Sequence, residues 1–330
     1  MKIIGLGNAL LDVLLNLDNE AILSEMGVKK GAMEIIDEAQ MFELQKAQIG
    51  LKKTEAPGGS VCNTMRSLAK LNSINKKVCD TGYIGKIGND HAAKIYADEI
   101  AKVGVEAFFV KTTGISGCST VLISPDGERT MATFLGPAAT LADDEIPDNI
   151  LRNYDLIYIE GYLIANERLF LPVVKRAKAM GLKIALDLSN FNIVNAFGSL
   201  LHEVIPQYVD ILFSNESEAE AYTGLPAREA IEVIAKDVEI SVVTIGKEGV
   251  LVRSADKTVH QAALKANVID TTGAGDNFAA GFLYGYSTNA SLEKSAYIGA
   301  LLSSKVIEVV GARIPDDKWQ EIKSQLSSED

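Results

Sequence analysis

A chain of 330 residues, 47% of them hydrophobic, has length for one large α/β domain or two ordinary ones, and ample material for a core. Its net charge of −12 argues against a generic nucleic-acid surface, and no run of eighteen apolar residues offers a membrane span. The start lacks a signal peptide's apolar segment, and three scattered cysteines (Cys62, Cys79, Cys118) match no zinc pattern, so a reducing cytoplasm is expected.

Lys2 to Leu6 reads as a short buried strand. Gly5-Leu6-Gly7 resembles the opening of a dinucleotide fingerprint, but Leu10 stands where the third glycine belongs. Residues 32–36 alternate like a strand, and Glu38 to Ala47 reads as a short helix. Pro57-Gly58-Gly59-Ser60 then opens a helix from Val61 to Leu71, where Asn63 is placed either to face a ligand or to cap the helix. A strand over Lys77–Ile84 and a helix over His91–Val103 follow. Strands at Phe108–Val110 and Cys118–Ile123 come next, with Pro125-Asp126-Gly127-Glu128 as a hairpin turn into Thr130–Phe134. Arg129 starts the returning strand, where a planar guanidinium is either a phosphate ligand or a solvated side chain.

From Tyr154 onward the rhythm is regular. Strands at Leu156–Ile159, Lys183–Leu188, Ile211–Ser214 and Ile240–Ile245 alternate with helices near 166–180, 192–205 and 216–236. This predicts a mostly parallel sheet with helices on both faces. Ligands of such sheets sit beyond the carboxyl ends of the strands, where Asn215, Glu218, Gly246 and Gly249 fall. Asn215 and Glu218 are one helical turn apart, so they share a face or complete a capping box.

The stretch Val268 to Phe278 carries the most chemistry. Asp270-Thr271-Thr272 runs into Gly273-Ala274-Gly275, Asp276 follows, and an amphipathic helix begins. Free amides and the dipole at a helix start make an anion site. A carboxylate beside it can accept a proton from a hydroxyl attacking a phosphoryl group, or merely complement the dipole. No Gly-x-x-x-x-Gly-Lys-Ser/Thr loop and no Gly-x-Ser-x-Gly elbow occurs. His91, His202 and His260 stand alone, without metal spacing.

Asp270-Thr271-Thr272-Gly273-Ala274-Gly275-Asp276 resembles the C-terminal signature of the ribokinase (PfkB) family of carbohydrate and nucleoside kinases, and Gly58-Gly59-Ser60-Val61-Cys62-Asn63 its N-terminal one. Further matches stand in family order at Gly85–Asp90, Asn215–Glu218 and Thr244–Gly249. The resemblance implies one ribokinase-like α/β domain over residues 1–330: a central mostly parallel sheet, plus a small β-sheet lid drawn mainly from 13–56 and 105–136. It implies ATP as co-substrate, Mg²⁺, and Asp276 as general base with the Gly273, Ala274 and Gly275 amides as anion hole. Asn8, Asp12, Gly58, Gly59 and Asn63 would hold a ribose-like ring, with Asp12 alternatively a turn aspartate.

On the nucleotide side the resemblance puts Asn215, Thr244, Gly246, Gly249 and Gly311. Glu218 would serve Mg²⁺ through water, and a K⁺ site beside Asp270 and Thr272 is expected by analogy. Gly7-Asn8-Ala9-Leu10-Leu11-Asp12 and Tyr208–Glu216 are similar to the adenosine-kinase branch, which stacks the base between aromatic side chains. Leu163 stands at a position that is aromatic in that branch, leaving Tyr162 and Phe191 for the role. A free sugar such as ribose or fructose is therefore the alternative acceptor, and a non-catalytic sugar-binding regulator the remoter one. The expected partners are small molecules, without nucleic acid or membrane, in a monomer or homodimer.

Overall fold

A computed structural model describes residues 1–50, 52–75, 79–126, 128–255 and 257–327. Lys77 and Val78 of the expected strand, Gly127 of the expected hairpin turn and the three C-terminal residues lie outside that set. In chain order the strands are β1 (Lys2–Leu6), β2 (Leu10–Asn16), β3 (Met33–Ile35), β4 (Lys53–Gly58), β5 (Asp80–Ile87), β6 (Glu106–Lys111), β7 (Gly117–Ile123), β8 (Arg129–Phe134), β9 (Leu156–Glu160), β10 (Lys183–Asp187), β11 (Ile211–Asn215), β12 (Ile240–Thr244), β13 (Val250–Ser254) and β14 (Lys257–Gln261).

Among the described residues, nine strands form the main sheet in the order β14-β13-β12-β11-β10-β9-β1-β5-β6. It is parallel from β6 to β12, and β13 and β14 close one edge as antiparallel strands. The central strands are nearly continuous apolar runs because helices cover both faces. Successive residues split between the two cores. Ile3, Leu156 and Tyr158 pack with the helices Ser60–Ile74, Ala274–Ser287 and Leu292–Val306. Ile4, Ile157 and Ile159 pack with Phe170–Ala179, Phe191–Tyr208 and Ala227–Ile234. No helix among the described residues is long and apolar enough to cross a membrane.

The second sheet, β3-β8-β7-β2-β4, is built by the same alternation. Leu11, Val13 and Leu15 turn outward under the helix Glu38–Ala47, against Met41 and Leu44. Leu10 and Asp12, with Ser119, Val121, Met131 and Thr133, face a cavity between the sheets. The expected bounds of this lid need correction. It begins at Leu10 and includes Gly58, whereas β6 pairs in parallel with β5 in the main sheet. Phe109 anchors β6 there, edge-on to Tyr83 and Tyr96.

Candidate active site

Gly273, at φ +74°, starts the helix Ala274–Ser287, and a Cβ there would lie 2.5 Å from that of Ala312. The left-handed backbone and the close approach both require glycine. Asp276 falls in the first turn, where two side chains of the helix Ser60–Ile74 hold it. Ser60 Oγ donates to Asp276 Oδ1 (2.7 Å) and Asn63 Nδ2 to Oδ2 (2.9 Å). Thr64 Oγ1 donates to the Asp276 carbonyl (3.1 Å), and Ser67 Oγ to Asn277 Oδ1 (2.7 Å). The two glycine-led helices are thus stitched together through the acid. Burial raises the Asp276 carboxyl above its usual range, while Asn63 and Ser60 pull it back.

Asp12 approaches the same place from the lid. Its carboxylate lies against Gly58, where a Cβ would fall 2.1 Å from the carboxylate atoms. Burial, then the charge of Asp276, pushes Asp12 up to about 7. Gly59, at φ +86°, passes so close to the Asn8 carbonyl that a Cβ would stand 2.4 Å from it. Asn8 occupies the crossing from β1 to the lid. Its backbone N–H (2.9 Å) and Nδ2 (2.7 Å) both donate to Glu160 Oε1, and the Val61 N–H donates to Oε2 (3.3 Å).

Two cavities meet at the Gly-Ala-Gly turn. The first, of about 520 Å³, lies under the lid and is reached by Asn8, Asp12, Gly59, Asp276 and Tyr162. The second, of about 650 Å³, is bounded by Thr244, Gly246, Gly249, Val250, Ala300 and Ile307. Thr244, Thr271, Ala274, Gly275 and Phe278 line both. The first turn of a helix lies between two chambers, where a group passed from one to the other would sit near its amides and dipole.

Sequence reasoning missed two acids of the first cavity. Glu160 closes β9 and Asp187 closes β10, and both line it. Asp187 Oδ1 accepts from the Ser189 N–H (2.6 Å) and Oδ2 from the Tyr158 hydroxyl (3.2 Å). Burial pushes Glu160 up to about 7 and, with the Asp276 charge, Asp187 to about 6. Glu218 forms a reciprocal capping box with Asn215, and burial followed by the charge of Asp187 raises it to about 8. The available signal was an acid ending an apolar strand of a parallel sheet. Buried acids with raised values favour an incoming cation. Among the described residues, no three His, Cys, Asp or Glu side chains group to hold a metal ion alone. That donor set fits Mg²⁺ carried in with phosphates and keeping its waters.

Several expected residues stand elsewhere. Phe191 is 46% exposed and lines neither cavity, because it begins a helix whose first turn presents Ile193 instead. Tyr162 does line the first cavity, its hydroxyl donating to the Ser189 carbonyl (3.3 Å). Asn63 and Gly58 line neither chamber: Asn63 orients Asp276, and Gly58 makes room for Asp12. Asn215 lines the first cavity rather than the second. Gly311 reaches neither, since its N–H donates to Asp270 Oδ2 (2.6 Å).

Arg129 also lines neither cavity. Its Nη1 lies 2.6 Å from Asp270 Oδ2 and donates to Thr272 Oγ1 (2.8 Å). Asp270 Oδ1 accepts from Thr272 N–H (3.0 Å) and Oγ1 (2.7 Å). With both oxygens engaged and a guanidinium against one, the expected K⁺ site does not fit these side chains.

A parallel sheet with a separate β lid, and an acid set in a helix start between two chambers, define a small-molecule phosphotransferase. Residues 33–319 match the family model described as pfkB family carbohydrate kinase, and the chain belongs to that family. It is accordingly an ATP-dependent phosphotransferase with an alcohol group as acceptor. Among curated relatives, an uncharacterized sugar kinase of Archaeoglobus fulgidus is 32% identical over 236 residues, 71% of this chain and 94% of its own. Adenosine kinase of Saccharomyces cerevisiae is 28% identical over 322 residues, 91% of this chain and 90% of its own. The crystal structure of adenosine kinase from Sinorhizobium meliloti superposes with a TM-score of 0.84 at 30% identity, covering 98% of this chain and 99% of that one.

Proposed function

We propose that the chain transfers the γ-phosphate of ATP to the primary hydroxyl of a ribose-containing nucleoside, adenosine first among them. One observation carries this reading: the first cavity combines carboxylates with a largely apolar lining. Asn8, Asp12 and Asp276 all line it. Leu10, Val121, Met131, Leu135, Ile193 and Tyr162 line it as well, together with the paired hydroxyls of Ser119 and Thr133. A free sugar would leave the apolar part of this lining without a matching surface. A nucleoside sets its ribose against the carboxylates, which accept from vicinal hydroxyls, and a flat base against the apolar surface. The adenosine kinases among the relatives agree with this reading.

The residues take these roles. Asp12, with Gly59 beneath, and Asn8 hold the ribose; Gly58 seats Asp12 and Asn63 orients Asp276. Asp276 takes the proton of the primary hydroxyl, whose oxygen bonds to the γ-phosphorus as the bond to the β-phosphate oxygen breaks and ADP leaves. The Gly273, Ala274 and Gly275 amides stabilise charge on the transferring group. Thr244, Gly246 and Gly249 form the donor chamber for ATP. When bound with the nucleotide, Mg²⁺ neutralises the phosphates, and Glu218, capped by Asn215, would hold its water shell with Asp187. Positioning and electrostatics supply most of the rate in such transfers.

A free sugar is the second reading, favoured by a specific observation. Among the described residues, Tyr162 is the sole tyrosine or tryptophan lining the first cavity, Phe213 and Phe278 being its other aromatic side chains, and Leu163 is buried away from it. The test is phosphorylation of adenosine, other nucleosides, ribose and fructose by the wild type and Asp276→Asn. Adenosine is expected to give the highest kcat/KM, and Asp276→Asn to cut kcat about 10²–10⁴-fold. Ribose or fructose ahead of adenosine would overturn the nucleoside assignment. An active Asp276→Asn would overturn the assignment of the base.

A further inference from the structure

Asp270 is the first residue of the signature turn, and its carboxylate is almost sealed from solvent, with its side chain 9% exposed. Four donors surround it. Thr272 supplies its N–H and hydroxyl to Oδ1, while Gly311 N–H and Arg129 Nη1 each stand 2.6 Å from Oδ2. Three of these donors come from the main body. The fourth comes from the first residue of β8, in the other sheet.

Burial alone would raise this carboxyl. The hydrogen bonds from Gly311 and Thr272 and the nearby Arg129 charge instead hold it below the usual carboxylate range. The guanidinium also donates to Thr272 Oγ1 at 2.8 Å, so it bridges both side chains expected to bind K⁺. A guanidinium is planar, permanently charged and weakly hydrated, and suits a buried seat of this kind. A monovalent cation bound to Asp270 would have to displace Arg129 or sit beside a like charge.

We infer that Arg129, delivered by the lid, is the resident cation at the foot of the anion hole, making this kinase independent of monovalent metal ions. Arg129 is then a positioning residue. It fixes Asp270 and Thr272, whose turn carries the Gly273, Ala274 and Gly275 amides, and it ties the lid to that turn. This inference is independent of which alcohol is phosphorylated.

The test compares potassium chloride with tetramethylammonium chloride at fixed ionic strength, reading thermal melting and initial rate. In the wild type both are expected to agree within about twofold in rate, with no shift in melting temperature. In Arg129→Ala the vacated carboxylate should take up potassium. Potassium should then raise the melting temperature by several degrees and restore activity about tenfold over tetramethylammonium. Rubidium-soaked crystals give a readout free of activity: anomalous density beside Asp270 in the variant, and none in the wild type. Arg129→Gln serves in the same way if the alanine variant does not fold. Rubidium beside Asp270 in the wild type, a potassium-dependent wild type, or a soluble variant indifferent to potassium would each overturn the inference. Melting and scattering read the cation seat alone, so their failure is distinguishable from failure of the nucleoside reading.

Discussion

Asn63 Nδ2 stands 2.9 Å from Asp276 Oδ2, so an amide in one glycine-led helix aims the carboxylate of the other. Only the NH₂ of an amide can face an ionised carboxylate, which fixes the orientation of Asn63. The bond favours the charged form of an acid whose carboxyl burial raises above its usual range.

Removing that bond should therefore move a titration. In Asn63→Ala the Asp276 carboxyl loses a partner of its ionised form, and its value rises further. The acid limb of the kcat profile should shift to higher pH, with activity recovering as pH is raised. Ser60→Ala should shift it in the same direction, because Ser60 Oγ donates to the other oxygen at 2.7 Å. A pH–rate profile unchanged in both variants would remove Asn63 and Ser60 from control of the base.

Gly58→Ala probes the opposite wall. The added methyl group would fall 2.1 Å from the Asp12 carboxylate, so the side chain must leave its place. Gly58 is not held at positive φ, and the strand should survive. We expect KM for the acceptor to rise by about tenfold or more, the loss of a charge-assisted hydrogen bond. The KM for ATP should stay close to wild type. Unchanged acceptor kinetics would show that Asp12 does not hold the substrate.

Tyr162→Ala separates the two acceptor classes. Stacking of a base on an aromatic side chain is worth about 1–3 kcal/mol, so KM for a nucleoside should rise by about five- to a hundredfold. Any activity on ribose should be unaffected. Equal losses on ribose and adenosine would mean that Tyr162 supports the fold rather than the base.

The acids of the cavity make a prediction about stability. Glu160 and Asp12 stand at about 7, Asp187 at about 6 and Glu218 at about 8, all raised chiefly by burial. In the unfolded chain such groups lose their protons near pH 4. Between pH 4 and 8 the folded state therefore keeps protons that the unfolded state has released, and stability falls as pH rises. Surface acids held below their usual range, such as Asp148 and Glu293, have finished titrating by pH 5. The ligand-free melting temperature should drop by on the order of 5 °C from pH 5 to pH 8.5. Added Mg²⁺ with nucleotide should recover part of the loss. A flat profile over this window would show that these carboxyls ionise freely in the fold.

Much of this was legible because it rests on local rules. Glycine at Gly59 and Gly273 announces a backbone that other residues avoid, and each opens a helix whose first turn is readable. The helix Glu38–Ala47 was expected with the bounds it has, and the Asp37 capping box that starts it is a sequence-local device. Apolar runs alternating with amphipathic helices made the parallel sheet legible for the same reason.

The tertiary structure alone decided what stands beside what. Glu160 and Asp187 are single acids at the ends of apolar strands, and each becomes part of the site because its strand lies near β1 in the sheet order. Arg129 meets Asp270 only because the lid folds back over the main sheet, and Phe191 turns away through its place on a helix start. Local periodicity fixes which residues share a face. Strand order, packing and burial over long sequence separations fix which faces meet, and so which charges become neighbours.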